Sequence, residues 1–187
     1  LNTPGLRMDG TTINGQYQGV SGRSSQFMGY KPSHAFNGSL AQYDSWHSAV
    51  GSSAGQWIEW EFPYSVVITY YKIWDRVSGS SRPSNYTLYG YNSSNQRETI
   101  QTDERNSSST GGDGLTQFQE ITGDFAGKIY QGRRIRVSES SYYKAYTKYR
   151  LTINSATGSG WVSIGELSIY GFKTEREITE TKLEITE

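Results

Sequence analysis

The run "GQWIEWEFPYSVVITYYKIWDRV", Gly55 to Val77, limits what this chain can become more than any other stretch. Ile58, Trp60 and Phe62 alternate with Trp57, Glu59 and Glu61, so that core-type residues recur at every second position. A period of two sends successive side chains to opposite faces of an extended backbone, which is the pattern of a half-buried β-strand. Pro63 has no backbone N–H and is expected to end that strand. Val66 to Trp74 predicts a second strand, and "NYTLYGYN", Asn85 to Asn92, a third with Tyr86, Leu88 and Gly90 on one face.

The rest of the chain repeats this theme. Residues 1 to 33 are rich in Gly, Ser and Thr, with a strand candidate around Thr11 to Gln18. Gly, Ser and Pro fill Ser78 to Ser84, which reads as a loop. The polar stretch from Asn92 to Gly114 predicts one short strand and a loop. Strands resume at Gln117 to Ile121, Arg134 to Ser138, Tyr146 to Ile153 and Trp161 to Phe172. Nothing before the end has a helical period. The 15 Tyr and five Trp favour strands, and the 21 Gly favour turns. About eight short antiparallel strands predict an all-β sandwich or jelly roll.

With 187 residues the chain suits one domain, expected over residues 1–173. The tail "TEREITETKLEITE", residues 174–187, changes character and repeats EITE at a seven-residue interval. It reads as a charged linker or the start of a following segment, with a heptad stalk as the alternative. A first residue of Leu suggests a piece of a longer protein. Eighteen basic residues balance eighteen acidic ones, so no global field draws the chain to nucleic acid or an anionic membrane. Cysteine is absent, which excludes disulfides, thiolate metal sites and thiol nucleophiles. No apolar run is long enough to be a membrane-spanning helix. Aromatic residues make up 14% of the chain, more than a small core requires, so some are expected to offer flat faces to a ligand. Asn37, Asn85, Asn92 and Asn106 each begin an N-x-S/T sequence, a weak sign of a glycosylated surface.

One order of fragments stands out: "HAFNG", "WHS", "GQWIEWEF", "VVITYYKIW", Arg76, "RPSNYTLYGYN", "YTKYRLTI" and "GWVSIGELSIYG". Over about residues 15 to 172 this succession resembles the discoidin, or coagulation factor V and VIII type C, domains and the family 32 carbohydrate-binding modules. The resemblance implies a galactose-binding-like jelly roll that meets ligands through loops at one end and performs no chemistry. Lack of cysteine sets the chain apart from the disulfide-clamped animal members, and the insert from Asn92 to Gly114 replaces a compact hairpin common in relatives.

Several site expectations follow from the resemblance. Many sugar-binding members hold a structural calcium in an A-x-D-G loop. Carried over, the carbonyls of His34, Ser39 and Gly165, the side chain of Asn37, Asp44 through side chain and carbonyl, and the Glu166 carboxylate would surround the ion. Oxygen donors with two carboxylates suit Ca²⁺. The same letters also describe an Asn-Gly turn followed by a strand cap. Arg76 matches the arginine that contacts sugar hydroxyls in galactose-binding members; a salt bridge to Asp75 or another surface acid is the alternative. Arg82 stands at the R-P position, where a structural role competes with ligand contact. Phe27, Met28 and Tyr30 lie in "SSQFMGY", the place of a loop spike that enters bilayers in lipid-binding relatives. Capping of the core is the other reading for Phe27 and Met28. Trp74, Tyr43 and Trp161 are further aromatic candidates, Trp74 with its face undetermined.

His47 invites a catalytic reading because Asp44 and Ser48 flank it. Three groups within five residues of one strand cannot converge on one reacting atom. W-H-S recurs in the resembled family as the structural start of a strand, and no paired carboxylates appear elsewhere. The expectation is therefore a non-enzymatic module of a larger secreted or surface-displayed protein, of a cell or a virion, that attaches to galactose-type glycans. Membrane or protein docking through the apolar loop, or an architectural role in a capsid or fibre, are the alternatives.

Overall fold

The computed structural model describes residues 11–12, 19–39, 43–76, 81–104, 116–119, 129–136, 144–158 and 160–174. In chain order the strands are β1 (Thr11–Thr12), β2 (Gly19–Arg23), β3 (Trp46–His47), β4 (Gln56–Trp74), β5 (Pro83–Tyr91), β6 (Arg97–Glu104), β7 (Thr116–Gln119), β8 (Ile129–Arg136), β9 (Tyr146–Ala156), β10 (Ser163–Ile164) and β11 (Glu166–Lys173). Pro32–Phe36 forms a short 3-10 turn, the one helical element among the described residues.

Strand β4 organises the molecule. The expectation that Pro63 ends a strand is corrected: one 19-residue strand runs through it. Pairing with β9 instead jumps from Glu61↔Lys148 to Val66↔Tyr146, so Pro63 sits in a break of the ladder where its missing N–H costs nothing. Before the break β4 pairs with β2 and β9. After it, β4 pairs with β11 and β8. The chain thereby passes from a front layer ordered β2-β4-β9-β5-β6 to a back layer ordered β1-β11-β4-β8-β7, with every pair antiparallel. This curled sheet is the jelly-roll sandwich predicted.

The period-two pattern is realised residue by residue. Ile58, Trp60 and Phe62 from β4, Tyr86 and Leu88 from β5, and Tyr149, Leu151 and Ile153 from β9 turn inward. They meet Tyr71, Ile73, Leu167 and Ile169 of the back layer in one core. The fully buried Tyr149 donates its hydroxyl to the Val66 carbonyl and so joins the layers. Gly90 faces the Tyr146 ring, where a Cβ would collide, which explains why glycine stands on an inward face.

Other boundaries move as well. The predicted strand from Trp161 to Phe172 is broken at Gly165, whose N–H donates to the Trp74 carbonyl at 2.8 Å. A Cβ at Gly165 would lie 2.7 Å from the Asp75 carbonyl, so the break is a close backbone approach. β8 begins at Ile129 and ends at Arg136, earlier than expected. The polar region after Asn92 contains the full eight-residue β6. The tail expectations, Asn106 and the strand residues 13–18 lie outside the described residues.

Candidate functional site

Three loops meet at one end of the sandwich because short backbone bonds tie them together. The segment after β2 is fastened to β3: Phe27 N–H donates to the His47 carbonyl at 2.9 Å, and Trp46 Nε1 donates to the Ser25 carbonyl at 3.2 Å. Ala49 N–H donates to Ser25 Oγ at 3.0 Å. β3 pairs with β10 through His47↔Ser163, and Ser48 N–H reaches the Val162 carbonyl at 3.0 Å. Arg76 enters from the back layer just beyond the end of β4.

Trp46 points into the core, so alternation sends its neighbour His47 the other way, towards these loops. The His47 ring stacks on Trp161 at 3.9 Å and 22° between planes. Phe27 and Tyr30 lie on the same imidazole at 5.6 and 5.3 Å between ring centroids. The Arg76 guanidinium stands 5.1 Å from the Tyr30 ring centroid and donates to its hydroxyl at 3.3 Å. Four loop aromatics or imidazoles and one arginine are thus gathered from segments far apart in sequence.

Burial pushes the His47 pKa down, and the Arg76 guanidinium pushes it the same way against the pull of the Ser48 carbonyl. The imidazole is neutral at pH 7. Its Nδ1 lies 3.1 Å from the Ser48 carbonyl, an acceptor only, so Nδ1 carries the proton and Nε2 is left as an acceptor. Asp44, by contrast, is engaged by Asn37 Nδ2 at 2.8 Å and lies 3.3 Å from His34 Nδ1. Ser48 Oγ accepts from Val162 N–H at 3.0 Å and donates to the Ala49 carbonyl. The Asp44, His47 and Ser48 side chains therefore share no hydrogen bond with one another.

Of the expected ligand residues, Phe27, Tyr30, Arg76 and Trp161 come together. Met28 and Tyr43 are exposed loop tips, at 77% and 67%, and Met28 adopts φ 45°. Phe27 and Met28 thus divide the two readings, one packed inward and one presented to solvent. Val50, three residues after His47, is a further exposed tip that the sequence did not single out. Asp75, the suggested partner for Arg76, lies 3.4 Å from Arg82 Nε, a contact in keeping with a structural role for Arg82. Trp74 is 7% exposed on the face opposite Ile73, with its indole N–H on Ser168 Oγ at 3.2 Å. Little of its ring is presented to solvent. The sequence presents His47 only as the start of a strand; its one local signal is an imidazole next to a Trp in W-H-S.

The residues expected to hold calcium surround one Asn-Gly turn. Gly38, at φ 75°, donates its N–H to Glu166 Oε2 at 3.2 Å, and Ser39 N–H donates to Asn37 Oδ1 at 2.9 Å. Glu166 is 3% exposed. Two carboxylates thus approach a single turn from different elements, one of them in a dry position where negative charge needs compensation. Among the described residues no group of three or more His, Cys, Asp or Glu is placed to hold a metal, so a cation here would depend on main-chain carbonyls alongside the two carboxylates. That oxygen-rich donor set fits a hard divalent cation and no softer one.

No family model matches the sequence, and no curated protein matches it. Solved structures do. The fold is that of the family 32 carbohydrate-binding modules. One such structure is the family 32 module of Clostridium perfringens NanJ in complex with galactose, at 15% identity and a TM-score of 0.61 over 86% of this chain and 98% of that one. A second is a family 32 module of a Clostridium perfringens family 89 protein in complex with GalNAc-β-1,3-galactose, at 16% identity and 0.61 over 86% and 100%. A third is the lectin binding domain of lectinolysin, a His mutant complexed with Lewis b, at 14% identity and 0.59 over 87% and 99%.

Proposed function

We propose that this chain is a non-catalytic glycan-binding module, part of a larger secreted or surface-displayed protein, that takes a galactose-type sugar at the loop end. The observation that carries this reading is the meeting of Arg76 with His47, Trp161, Phe27 and Tyr30. Sugar sites combine aromatic faces for C–H groups with a few fixed polar groups for hydroxyls. Arg76 supplies fixed donors suited to vicinal hydroxyls, and the buried, neutral His47 ring backs the Trp161 indole. The solved structures of the same fold include modules bound to galactose and to galactose-containing glycans, which supports the choice of sugar. The separate engagements of Asp44, His47 and Ser48 support binding without catalysis.

A structural calcium at the Asn37–Ser39 turn belongs to the same reading. The carbonyls of His34, Ser39 and Gly165, the Asn37 side chain, Asp44 and Glu166 would hold it. Bound there, the ion would neutralise Asp44 and Glu166 and brace the loop that leads into β3.

A glycan array followed by calorimetric titration of galactose tests the proposal. Millimolar or tighter binding that is lost in Arg76→Ala supports it, and a wild type that binds no sugar overturns it. The second reading, docking to a membrane or protein, rests on the exposed Met28, Val50 and Tyr43 tips. Co-sedimentation with liposomes that is lost in Met28→Ser, Val50→Ser would favour it instead.

A further inference from the structure

We infer a second glycan site, on the outer face of the front layer, for an acidic polysaccharide: Tyr89 and Tyr91 of β5 with Arg97 of β6 and Lys148 of β9. Tyr91 is the register partner of both Arg97 and Lys148, so a basic residue flanks it on each neighbouring strand. Tyr89, two residues earlier, shares its face. Lys148 Nζ stands 4.0 Å from the Tyr91 ring centroid, and Arg97 Cζ 4.4 Å from that of Tyr89. The two cations rise from strands two spacings apart, about 9.5 Å.

What separates this cluster from ordinary surface ion pairing is where the carboxylates go. Glu59 is taken by Arg150 and by the Tyr91 hydroxyl. Glu98, the chain neighbour of Arg97, receives Tyr146 at 2.7 Å, Asn92 at 3.0 Å and Lys144 at 3.1 Å. Glu61 pairs with Lys148 in register, yet the ammonium turns away and donates to Asn95 Oδ1 at 2.7 Å. Among the described residues neither Arg97 nor Lys148 lies within ion-pair distance of an acid. Lys148 is therefore aimed by a neutral amide, and no acid among the described residues compensates its charge.

The aim is rigid. Asn92 Oδ1 accepts from Ser94 N–H at 3.1 Å and Gln96 N–H at 2.9 Å, and Asn95 holds φ 57°, so the hairpin that carries Asn95 is stapled. Half-buried tyrosine rings offer flat faces with little ordering cost, and charge complementarity selects an anionic partner. A glycan fits better than a nucleic acid, because two cations on a chain of zero net charge make no track for a phosphate backbone. The patch lies at the far end of β5 from the loop cluster, about 25 Å along the strand. One protein could thus hold a chain at two points.

Affinity electrophoresis in native gels containing polygalacturonate, and separately dextran sulfate, tests the site, with dextran and a single-stranded dT oligonucleotide as comparators. The wild type should be retarded by at least one acidic polymer; the carboxylate and sulfate arms say which anion it takes. Arg97→Gln with Lys148→Met should weaken retardation about tenfold, and Tyr89→Ala should weaken it too. Trp161→Ala should leave it unchanged while weakening galactose binding about tenfold, which separates this site from the loop end. No retardation of the wild type, equal retardation of the double variant at an unchanged Tm, or equal affinity for dT or dextran would overturn the inference.

Discussion

The His47 imidazole lies face to face with the Trp161 indole, 3.9 Å away, although 114 residues separate them in the chain. Trp161 is held there by the turn through Gly160, whose carbonyl accepts from Gly51 N–H at 2.6 Å. The stack unites the end of β3 with the loop before β10 and forms the centre of the proposed sugar site.

Removing Trp161 as Ala should weaken galactose binding about tenfold, the scale of one aromatic contact. Because Trp161 is half-buried on a loop, thermal unfolding should shift little. Titration calorimetry and a melting curve on the same sample check both halves of that expectation.

His47 predicts a pH dependence. Its folded pKa lies below the ordinary 6.5, so between the two values the unfolded chain binds more protons than the folded one. The stability it contributes is present above pH 6.5 and is lost as pH falls through the folded value. Melting temperature should fall on that acid limb, and His47→Gln should flatten it. Scans from pH 8 to pH 5 that show parallel slopes for both proteins would refute this account.

Glu59 is 7% exposed beneath Arg150, whose guanidinium also stacks 3.7 Å from the Trp57 ring centroid. Glu59→Ala would strand a partly buried guanidinium and the Tyr91 hydroxyl. A loss of about 2 to 3 kcal/mol is expected, at the low end for a broken buried pair because Arg150 retains Trp57 and some solvent. Urea unfolding measures it.

Gly171 occupies a bulge where β11 shifts register against β4, and a Cβ there would collide with the Val67 carbonyl. That neighbour is backbone and cannot rotate aside. Gly171→Ala should therefore cost about 2 to 3 kcal/mol, like other overpacked sites. Gly29, with open space around it, should accept Ala at little cost. Equal unfolding midpoints for the two variants would contradict the difference.

Calcium should raise the melting temperature, and a chelator should reverse the gain, as for any ligand that binds only the folded state. Asp44→Asn with Glu166→Gln should abolish the response. An unchanged melting temperature in millimolar calcium would remove the metal from the proposed function.

The strands were readable because each carries its own signal. In β4 and β9 the alternation of Trp60 with Glu59, or Leu151 with Arg150, is written within a few residues, and burial follows it directly. The site was only half legible. A resemblance names Arg76, Phe27 and Tyr30, and a place at a strand boundary names Trp161, whereas W-H-S reads only as a strand start, since nothing local says which face of a two-residue strand meets the loops. Pro63 misled for a related reason: a missing N–H ends a strand only where the ladder continues, and here the ladder breaks at that very place.

By itself the sequence determined the all-β class, the inward and outward faces of the long strands and the exclusion of thiol chemistry, because these depend on residue type and a period of two. Tertiary structure alone decided which acids reach which bases. Asp75 goes to Arg82, Glu59 to Arg150 and Glu98 to Lys144, while Lys148 donates to the Asn95 amide. Those choices depend on register and loop path across strands distant in the chain. They place Arg76 beside His47, and they leave a basic, aromatic strip on the opposite end of the front layer.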